Sequence, residues 1–180
     1  MKFVALLRGI NVGGKNKIPM SELKRLFEDL GFDNVLTYIN SGNVIFETEP
    51  TETPILNQAC EQAIAKHFGF HIVCSVIEAN RLIKALDNSP SWWDQDEGKH
   101  NAIFVIAPKT TAQVIDEIGD TKPEYEKISA FEPIIFWSAP IETFSKTRYS
   151  QIVGSKAYQF ITIRNANTTK KLAQLCRLET

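Results

Sequence analysis

The stretch that decides the fold is MKFVALLRGINVGGKNKIPM, residues 1–20. Its apolar run over residues 3–7 predicts a strand, and a basic loop containing three glycines follows over residues 8–18. Pro19 then opens an amphipathic helix that ends at Gly31, because proline is favoured at the first helical position and glycine just after the last. The chain therefore begins as strand, glycine loop and helix, with the loop at the end of the strand.

Four more elements complete a first unit, all of them predicted from hydrophobic spacing and turn residues. They are a strand over 35–39, a strand over 44–46, a helix from Pro54 to Gly69 and a strand over 72–77. The order βαββαβ predicts an α+β fold of the ferredoxin-like plait type. Its third strand runs antiparallel beside the first, so we expect the turn at 40–43 to lie next to residues 8–11.

The second half repeats this order less regularly, which predicts two tandem ferredoxin-like plaits. Its elements are a strand over 102–106, a helix over 112–118, a strand pair at 125–128 and 134–137, helical character over 147–153, a strand over 160–163 and a helix over 168–178. The expected organisation is subdomain 1 over residues 1–78, a helix and Trp-containing linker over 79–100, and subdomain 2 with the C-terminal helix over 101–180. Identity between the halves is too low to indicate duplication.

Composition excludes several classes of protein. The 180 residues are 43% hydrophobic, which suits a globular core, and no apolar run approaches the roughly 20 residues of a membrane helix. The apolar part of the N-terminus is shorter than the roughly 7–15 residues of a signal peptide, so we interpret it as the first strand. The cysteine pattern is what leads us to expect a cytoplasmic protein. Cys60, Cys74 and Cys176 are odd in number and lie among apolar residues, which favours reduced core thiols over disulfides.

Charge is unevenly distributed along the chain. Residues 50–144 carry seven Lys or Arg against fourteen Asp or Glu, whereas residues 145–180 carry seven against one. Either the two regions pair with each other, or the C-terminal segment offers a basic face to a phosphate-bearing ligand. The charge pattern leaves both interpretations open.

Several motifs resemble those of a bacterial family of uncharacterised proteins, domain-of-unknown-function family 1697. The motifs are Arg8-Gly9-Ile10-Asn11-Val12-Gly13-Gly14, Lys17-Ile18-Pro19-Met20, Leu30-Gly31-Phe32, Thr37-Tyr38, Ser41-Gly42-Asn43-Val44, Arg164-Asn165, Asn167-Thr168 and Lys171-Leu172. The resemblance covers nearly the whole chain. It implies a tandem pair of ferredoxin-like subdomains, with C-terminal strands exchanged between the halves as a variant of that arrangement. It implies no activity and no ligand.

The glycine loop and the 40–43 turn form the main candidate site, which we expect to bind an anion. Its residues are Arg8, Asn11, Gly13, Gly14, Lys15, Lys17, Asn40, Ser41 and Asn43. Residues 9–15 match the G-x-x-x-x-G-K spacing of a P-loop, but they lack the Ser or Thr that holds magnesium, and the predicted helix starts too late. The alternatives are a looser anion nest of glycine amides and lysines, or a plain glycine turn with solvated lysines.

A secondary anion site is predicted in the basic C-terminal segment. Its residues are Lys146, Arg148, Lys156, Arg164, Asn165, Asn167 and Thr168. Asn167 or Thr168 is expected to cap the last helix, whose N-terminus beside Arg164 would attract an anion. The competing interpretation is that these residues only cap a helix.

The tryptophans, histidines and possible catalytic groups of residues give no further candidate site. Trp92 and Trp93 lie in the linker, where we expect them to pack the two halves together rather than stack on bases, and no RNA-recognition box is present. Gly69 interrupts the spacing of His67 and His71, so no metal is expected, and neither is any cofactor. No Ser-His-Asp or Cys-His arrangement can be recognised in the sequence.

The sequence therefore favours a cytoplasmic protein that binds a phosphate-bearing small molecule, such as a nucleotide, at the basic glycine loop. Three alternatives remain: an enzyme acting on a phosphorylated small molecule, a nucleic-acid-binding module, and a structural or protein-interaction protein. No membrane partner is expected. The sequence leaves the oligomeric state open.

Overall fold

A computed structural model of the protein describes residues 1–178, in which eight strands and five α-helices are present. The strands are β1 Lys2–Arg8, β2 Asp33–Tyr38, β3 Asn43–Glu47, β4 Val73–Glu78, β5 Lys99–Val105, β6 Lys127–Phe131, β7 Ile134–Ala139 and β8 Ile161–Asn165. The helices are α1 Met20–Asp29, α2 Thr53–Phe68, α3 Ala79–Asp87, α4 Thr111–Ile118 and α5 Ala166–Arg177. None of these helices is long and apolar enough to cross a membrane.

The first sheet has the strand order β2-β3-β1-β4, with antiparallel pairing throughout. Residues 3–7 of β1 are all buried, so this central strand is covered on both faces. That explains why the strand reads as a continuous apolar run in the sequence instead of an alternating one. The helices α1 and α2 contribute to the core on one face, where the Phe46 ring packs against Phe3, Phe27 and Phe32.

The turn between β2 and β3 is tightly packed at Gly42. This glycine has φ +82°, and a Cβ there would lie 2.6 Å from Ile10 Cδ1 and 2.9 Å from Leu7 Cβ. A side chain at this position therefore meets both a left-handed backbone and the wall of the first loop. Glycine is required because β1, the first loop and the turn approach each other closely here.

The second sheet has the order β6-β7-β5-β8, again antiparallel. Its core contains the buried side chains of Ile103, Val114, Trp137 and Tyr149. The predicted helical character over 147–153 takes the form of short 3-10 turns at Phe144–Lys146, Tyr149–Gly154 and Lys156–Phe160. Two four-stranded antiparallel sheets with helices make this an α+β protein, consistent with two ferredoxin-like units.

The fourth strand of each sheet comes from its own half of the chain, because β4 pairs with β1 and β8 pairs with β5. Exchange of C-terminal strands is therefore not observed within residues 1–178. The compact units divide differently from the expected subdomain bounds: one comprises Met1–Ile83 together with the segment from Leu172, and the other Lys84–Lys171. The last two residues of the expected subdomain 101–180 lie outside the described residues.

Trp93 packs within the second unit. It is 4% exposed, its ring meets Phe136 edge to face at 4.9 Å, and Nε1 donates a 2.9 Å hydrogen bond to the carbonyl of Asn101. Trp92 is half-buried. Trp93 therefore has a packing role and offers no face to a stacked base.

We predict that Gly42→Ala destabilises the protein more than Gly69→Ala does. Both glycines have φ near +80°, but a Cβ at Gly69 meets nothing within 4 Å. The left-handed backbone costs each variant about 1–2 kcal/mol, and overpacking adds about 1–3 kcal/mol at Gly42 alone. Urea unfolding followed by circular dichroism measures the difference, and equal losses for the two variants would contradict the close approach.

Cys60, Cys74 and Cys176 are free and buried, as expected for core thiols. Burial raises the pKa of the Cys176 thiol to about 11, against a smaller lowering by the Lys2 ammonium. A raised thiol pKa keeps the neutral, unreactive form at pH 8, so native Cys176 should react with iodoacetamide about 100-fold more slowly than the unfolded chain. The rate should climb as the pH approaches 11. Mass spectrometry beside a Cys176→Ser control measures it, and equal native and unfolded rates at pH 8 would refute the prediction.

Candidate functional site

The two loops of the predicted site lie side by side. The amide of Leu7 donates to the carbonyl of Gly42 at 2.8 Å, and Asn11 Nδ2 donates to the carbonyl of Asn40 at 2.9 Å. This proximity follows from the antiparallel pairing of β1 with β3, in which Leu6 lies opposite Asn43. The expected position of the 40–43 turn beside residues 8–11 is confirmed.

Asn11 holds the loop together through its side-chain amide. Its φ is +54°, a conformation that asparagine tolerates better than most residues. Its Oδ1 accepts from the Ile18 amide at 2.8 Å, while Nδ2 donates to the carbonyls of Ile18 and Asn40, each at 2.9 Å. The side chain therefore joins both ends of the loop to the neighbouring turn.

Gly13 and Gly14 form the tip of a small hairpin. Their φ values are +58° and +75°, and the Lys15 amide donates to the Val12 carbonyl at 3.1 Å. Two positive φ values between paired residues are typical of a type I′ turn. The helix α1 begins only at Met20, so this loop does not have the strand-to-helix geometry of a P-loop.

The other residues of the predicted site differ in exposure. Asn43 is fully buried, and its Nδ2 donates to the Tyr38 carbonyl at 2.9 Å and to Ser41 Oγ at 3.1 Å. Asn43 and Ser41 thus stabilise the turn, and the expectation that Asn43 contacts a ligand is wrong because its side chain does not reach the surface. Arg8 is half-buried at the end of β1, opposite Val73 of β4.

A surface depression of about 380 Å³ lies where the two loops meet. Four of the predicted residues line it, Asn11, Gly14, Lys17 and Asn40, together with Ile18 and Pro19. Lys15 and Lys17 are exposed, and neither ammonium forms an ion pair within residues 1–178. The depression therefore has positive charge on its rim that no carboxylate of the described chain neutralises.

The first helix begins at the same depression. Pro19, which lines it, precedes α1 and provides no side-chain hydrogen bond to the first-turn amides. The unsatisfied amides of a helix N-terminus carry partial positive charge. An anion in the depression would therefore meet both Lys17 and the start of α1.

The predicted secondary site separates into two places. Glu126 is 4% exposed, and its carboxylate accepts hydrogen bonds from the amides of Lys122, Arg148 and Tyr149 at 2.7–3.2 Å. Beside Arg148, this carboxylate already occupies the position that an anion would take. Burial, and secondarily Glu126, raises the pKa of Tyr149. Arg148 Nε donates to the Ile118 carbonyl at 2.7 Å. This basic cluster is therefore structural.

Lys146 and Lys156 occupy exposed positions on the 3-10 turns. The Lys146 ammonium lies 5.6 Å from the centre of the Tyr125 ring, and the Lys146 carbonyl accepts from Lys122 Nζ at 2.9 Å. These contacts fix the backbone of the first 3-10 turn and leave Lys156 as an exposed cation.

The N-terminus of α5 is capped by Asn165, not by Asn167 or Thr168 as expected. Asn165 Oδ1 accepts from the Thr168 amide at 2.8 Å, since the helix begins at Ala166, two residues earlier than the apolar spacing indicates. Arg164 is 8% exposed and donates to the Ile163 carbonyl at 3.0 Å. Asn165 and Asn167, but not Arg164, line a depression of about 280 Å³ that also includes Lys99 and His100.

Sequence reasoning missed one cluster, in the second unit. His100 Nδ1 lies 2.7 Å from Ser138 Oγ, and His100 Nε2 lies 2.9 Å from the carbonyl and 3.4 Å from Oδ1 of Asp96. Ser138, His100 and Asp96 thus form a Ser-His-Asp arrangement that no motif in the sequence indicates. Its only local signal is the spacing of four between Asp96 and His100, because Ser138 comes from another strand. Within residues 1–178 no group of three or more side chains is placed to bind a metal.

The fold and the loop site define an α+β protein with two four-stranded sheets and a basic depression at the end of β1. Residues 1–136 match the model of the family described as Protein of unknown function (DUF1697), so the chain belongs to that family. It is also similar to the solved structure of the conserved bacterial protein SP0830 from Streptococcus pneumoniae, with 32% identity, 98% coverage of both chains and a TM-score of 0.86. No curated protein matches the chain.

We predict that Asn11→Ala lowers the free energy of unfolding by about 2–4 kcal/mol, since three hydrogen bonds of roughly 1 kcal/mol each are lost and alanine disfavours positive φ. Asn40→Ala is the matched control, because Asn40 contributes its backbone carbonyl, which the substitution retains. It should change stability by less than about 0.5 kcal/mol. Urea unfolding measures both variants, and a neutral Asn11→Ala would show that the loop does not depend on this amide.

Proposed function

We propose that the depression at the β1–α1 loop binds a phosphate-bearing small molecule, with a nucleotide as the representative ligand. The observation that carries the proposal is the position of Lys17 and Gly14 in a depression of about 380 Å³ at the uncapped start of α1. This volume lies within the range of roughly 300–1,000 Å³ that is usual for small-ligand sites. Lys17 would neutralise phosphate charge, and the exposed Asn40 side chain would orient the ligand.

The surroundings of the depression support a small organic anion over inorganic phosphate alone. Its own lining includes the apolar residues Ile18 and Pro19. Each of the two loops also carries an exposed apolar side chain, Val12 at 67% and Ile39 at 47% exposure. Apolar contact beside a charged rim suits a ligand with both a phosphate and an uncharged ring.

Nucleic-acid binding is less well supported. Phe3 and Phe46, the aromatic residues of the first and third strands, are fully buried and offer no stacking surface. Arg148 and Arg164, from the basic C-terminal segment, have structural contacts instead. We also propose a cytoplasmic location, which the three buried free cysteines support.

A thermal-shift screen tests the proposal. Purified protein is heated with nucleoside phosphates, other phosphorylated metabolites, inorganic phosphate, and short single-stranded RNA and DNA, at low and moderate salt. A ligand present at 100 times its Kd contributes about 2.7 kcal/mol, or a rise in Tm of roughly 5–10 °C for a chain of this size. We expect that rise for a nucleotide or phosphorylated metabolite and its loss in Lys15→Ala/Lys17→Ala.

The matched control is Lys24→Ala/Lys66→Ala, which removes two exposed lysines from α1 and α2 and should retain the response. Salt dependence separates the alternatives, because contact with many nucleic-acid phosphates gives a steep loss of affinity with ionic strength. A flat response to every anion, or the same response in both double variants, would overturn the proposed site.

A further inference from the structure

Three polar side chains form a row across the second sheet. Ser138 of β7 lies directly opposite His100 of β5 on one side and Lys127 of β6 on the other. Directly opposite residues in an antiparallel sheet project from the same face. A hydroxyl, an imidazole and an ammonium thus come from neighbouring positions on a single face.

The hydrogen bonds of His100 determine its tautomer. Nε2 lies 2.9 Å from the carbonyl oxygen of Asp96, which can only accept a hydrogen bond, so the neutral ring carries its proton on Nε2. Nδ1 therefore has a free lone pair and accepts from the hydroxyl of Ser138 at 2.7 Å. This is the orientation in which an imidazole acts as a general base on a serine.

Asp96 also places a carboxylate near the ring, with Oδ1 at 3.4 Å from Nε2. His100 is held at 8% exposure, whereas the Asp96 side chain is 79% exposed. The buried ring is therefore fixed by the Asp96 carbonyl, while the carboxylate favours the positive charge that appears when Nδ1 takes a proton.

Ser138 is 7% exposed, but it lines a depression of about 160 Å³. Lys127 and Asp96 line the same depression as Ser138. The lining also includes the carboxylates of Glu97 and Glu124 and the aromatic rings of Trp92 and Tyr125. The small volume admits an acyl group rather than a large ligand, and the carboxylates and aromatic rings favour a cationic substituent.

We propose that Ser138 is the nucleophile of an acyl-hydrolase site for small esters or thioesters that carry a positive charge. His100 is the general base, Asp96 holds and stabilises the imidazole, and the Lys127 ammonium faces the carbonyl oxygen as negative charge develops on it. The site lies in the second unit and is independent of the anion depression in the first.

The proposed hydrolysis proceeds in two steps, acylation of Ser138 and then deacylation. In the first, Ser138 Oγ bonds to the carbonyl carbon and gives its proton to His100 Nδ1. The bond to the leaving alcohol or thiol then breaks, and the leaving group takes that proton. In the second, a water oxygen bonds to the acyl carbon and gives a proton to His100 Nδ1. Ser138 Oγ leaves with that proton, and a carboxylic acid is released.

Labelling by methanesulfonyl fluoride, which is close to an acetyl group in size, tests the nucleophile, since sulfonylation of the serine releases fluoride only when the hydroxyl is activated. After incubation at pH 8, we expect mass spectrometry to find one label, on the Ser138 peptide. Ser138→Ala should abolish it, and the exposed Ser129 on β6 should stay unlabelled in every variant. A wild-type protein that takes no label on Ser138 overturns the proposal, whether or not either variant folds.

His100→Asn separates catalysis from structure. The asparagine side chain can place an oxygen near the position of Nδ1 and accept from Ser138, but it cannot take the proton. We expect labelling to fall at least about 100-fold while circular dichroism and Tm stay close to wild type. Labelling of a folded His100→Asn at the wild-type rate would show that the hydrogen bond is structural and would overturn the proposal.

Acetylthiocholine and its neutral carbon isostere, S-(3,3-dimethylbutyl) thioacetate, test the substrate class. They share the acyl group, the leaving sulfur and the shape, and differ only in charge. We expect at least about 10-fold higher kcat/KM for the cationic thioester, lost in Ser138→Ala. Equal rates, or no hydrolysis of either, would overturn the assignment of a cationic substrate.

Discussion

The side-chain amide of Asn11 is the contact on which the first loop depends. It ties the amide and carbonyl of Ile18 to the carbonyl of Asn40, so it closes the loop and joins it to the β2–β3 turn. The glycine hairpin between these ends is closed by its own backbone, since the Lys15 amide donates to the Val12 carbonyl and the Asn11 amide to the Asn16 carbonyl. The side chain of Asn11 therefore fixes the two ends of the loop beside the depression, which Lys17 and Gly14 also line.

The same principle governs the second unit, where a buried carboxylate organises the backbone. Glu126 accepts hydrogen bonds from the amides of Arg148 and Tyr149, at the start of the second 3-10 turn, and from the amide of Lys122 in the loop before β6. Beside Arg148 this carboxylate therefore lies where an external anion would otherwise bind, whereas Lys146 and Lys156 are exposed.

Much of the candidate anion site could be predicted from the sequence, because its geometry is local. Glycines, a proline and asparagines within a dozen residues specify the loop, and the plait topology specifies its neighbour. The roles of Asn11 and Asn43 were harder to predict, because an asparagine that stabilises a turn and one that binds a ligand are the same residue in the same kind of segment. Only the positions of their hydrogen-bond partners distinguish them.

The sequence by itself determined the α+β class, the order of the elements and the basic glycine loop, since these follow from hydrophobic period and from turn residues a few positions apart. The tertiary structure alone decided the pairing of His100 with Ser138, which are 38 residues apart. That pairing depends on strand register, and a shift of one residue would turn Ser138 to the other face of the sheet. Register is fixed by the packing of the whole sheet, so no local pattern in the sequence reveals it.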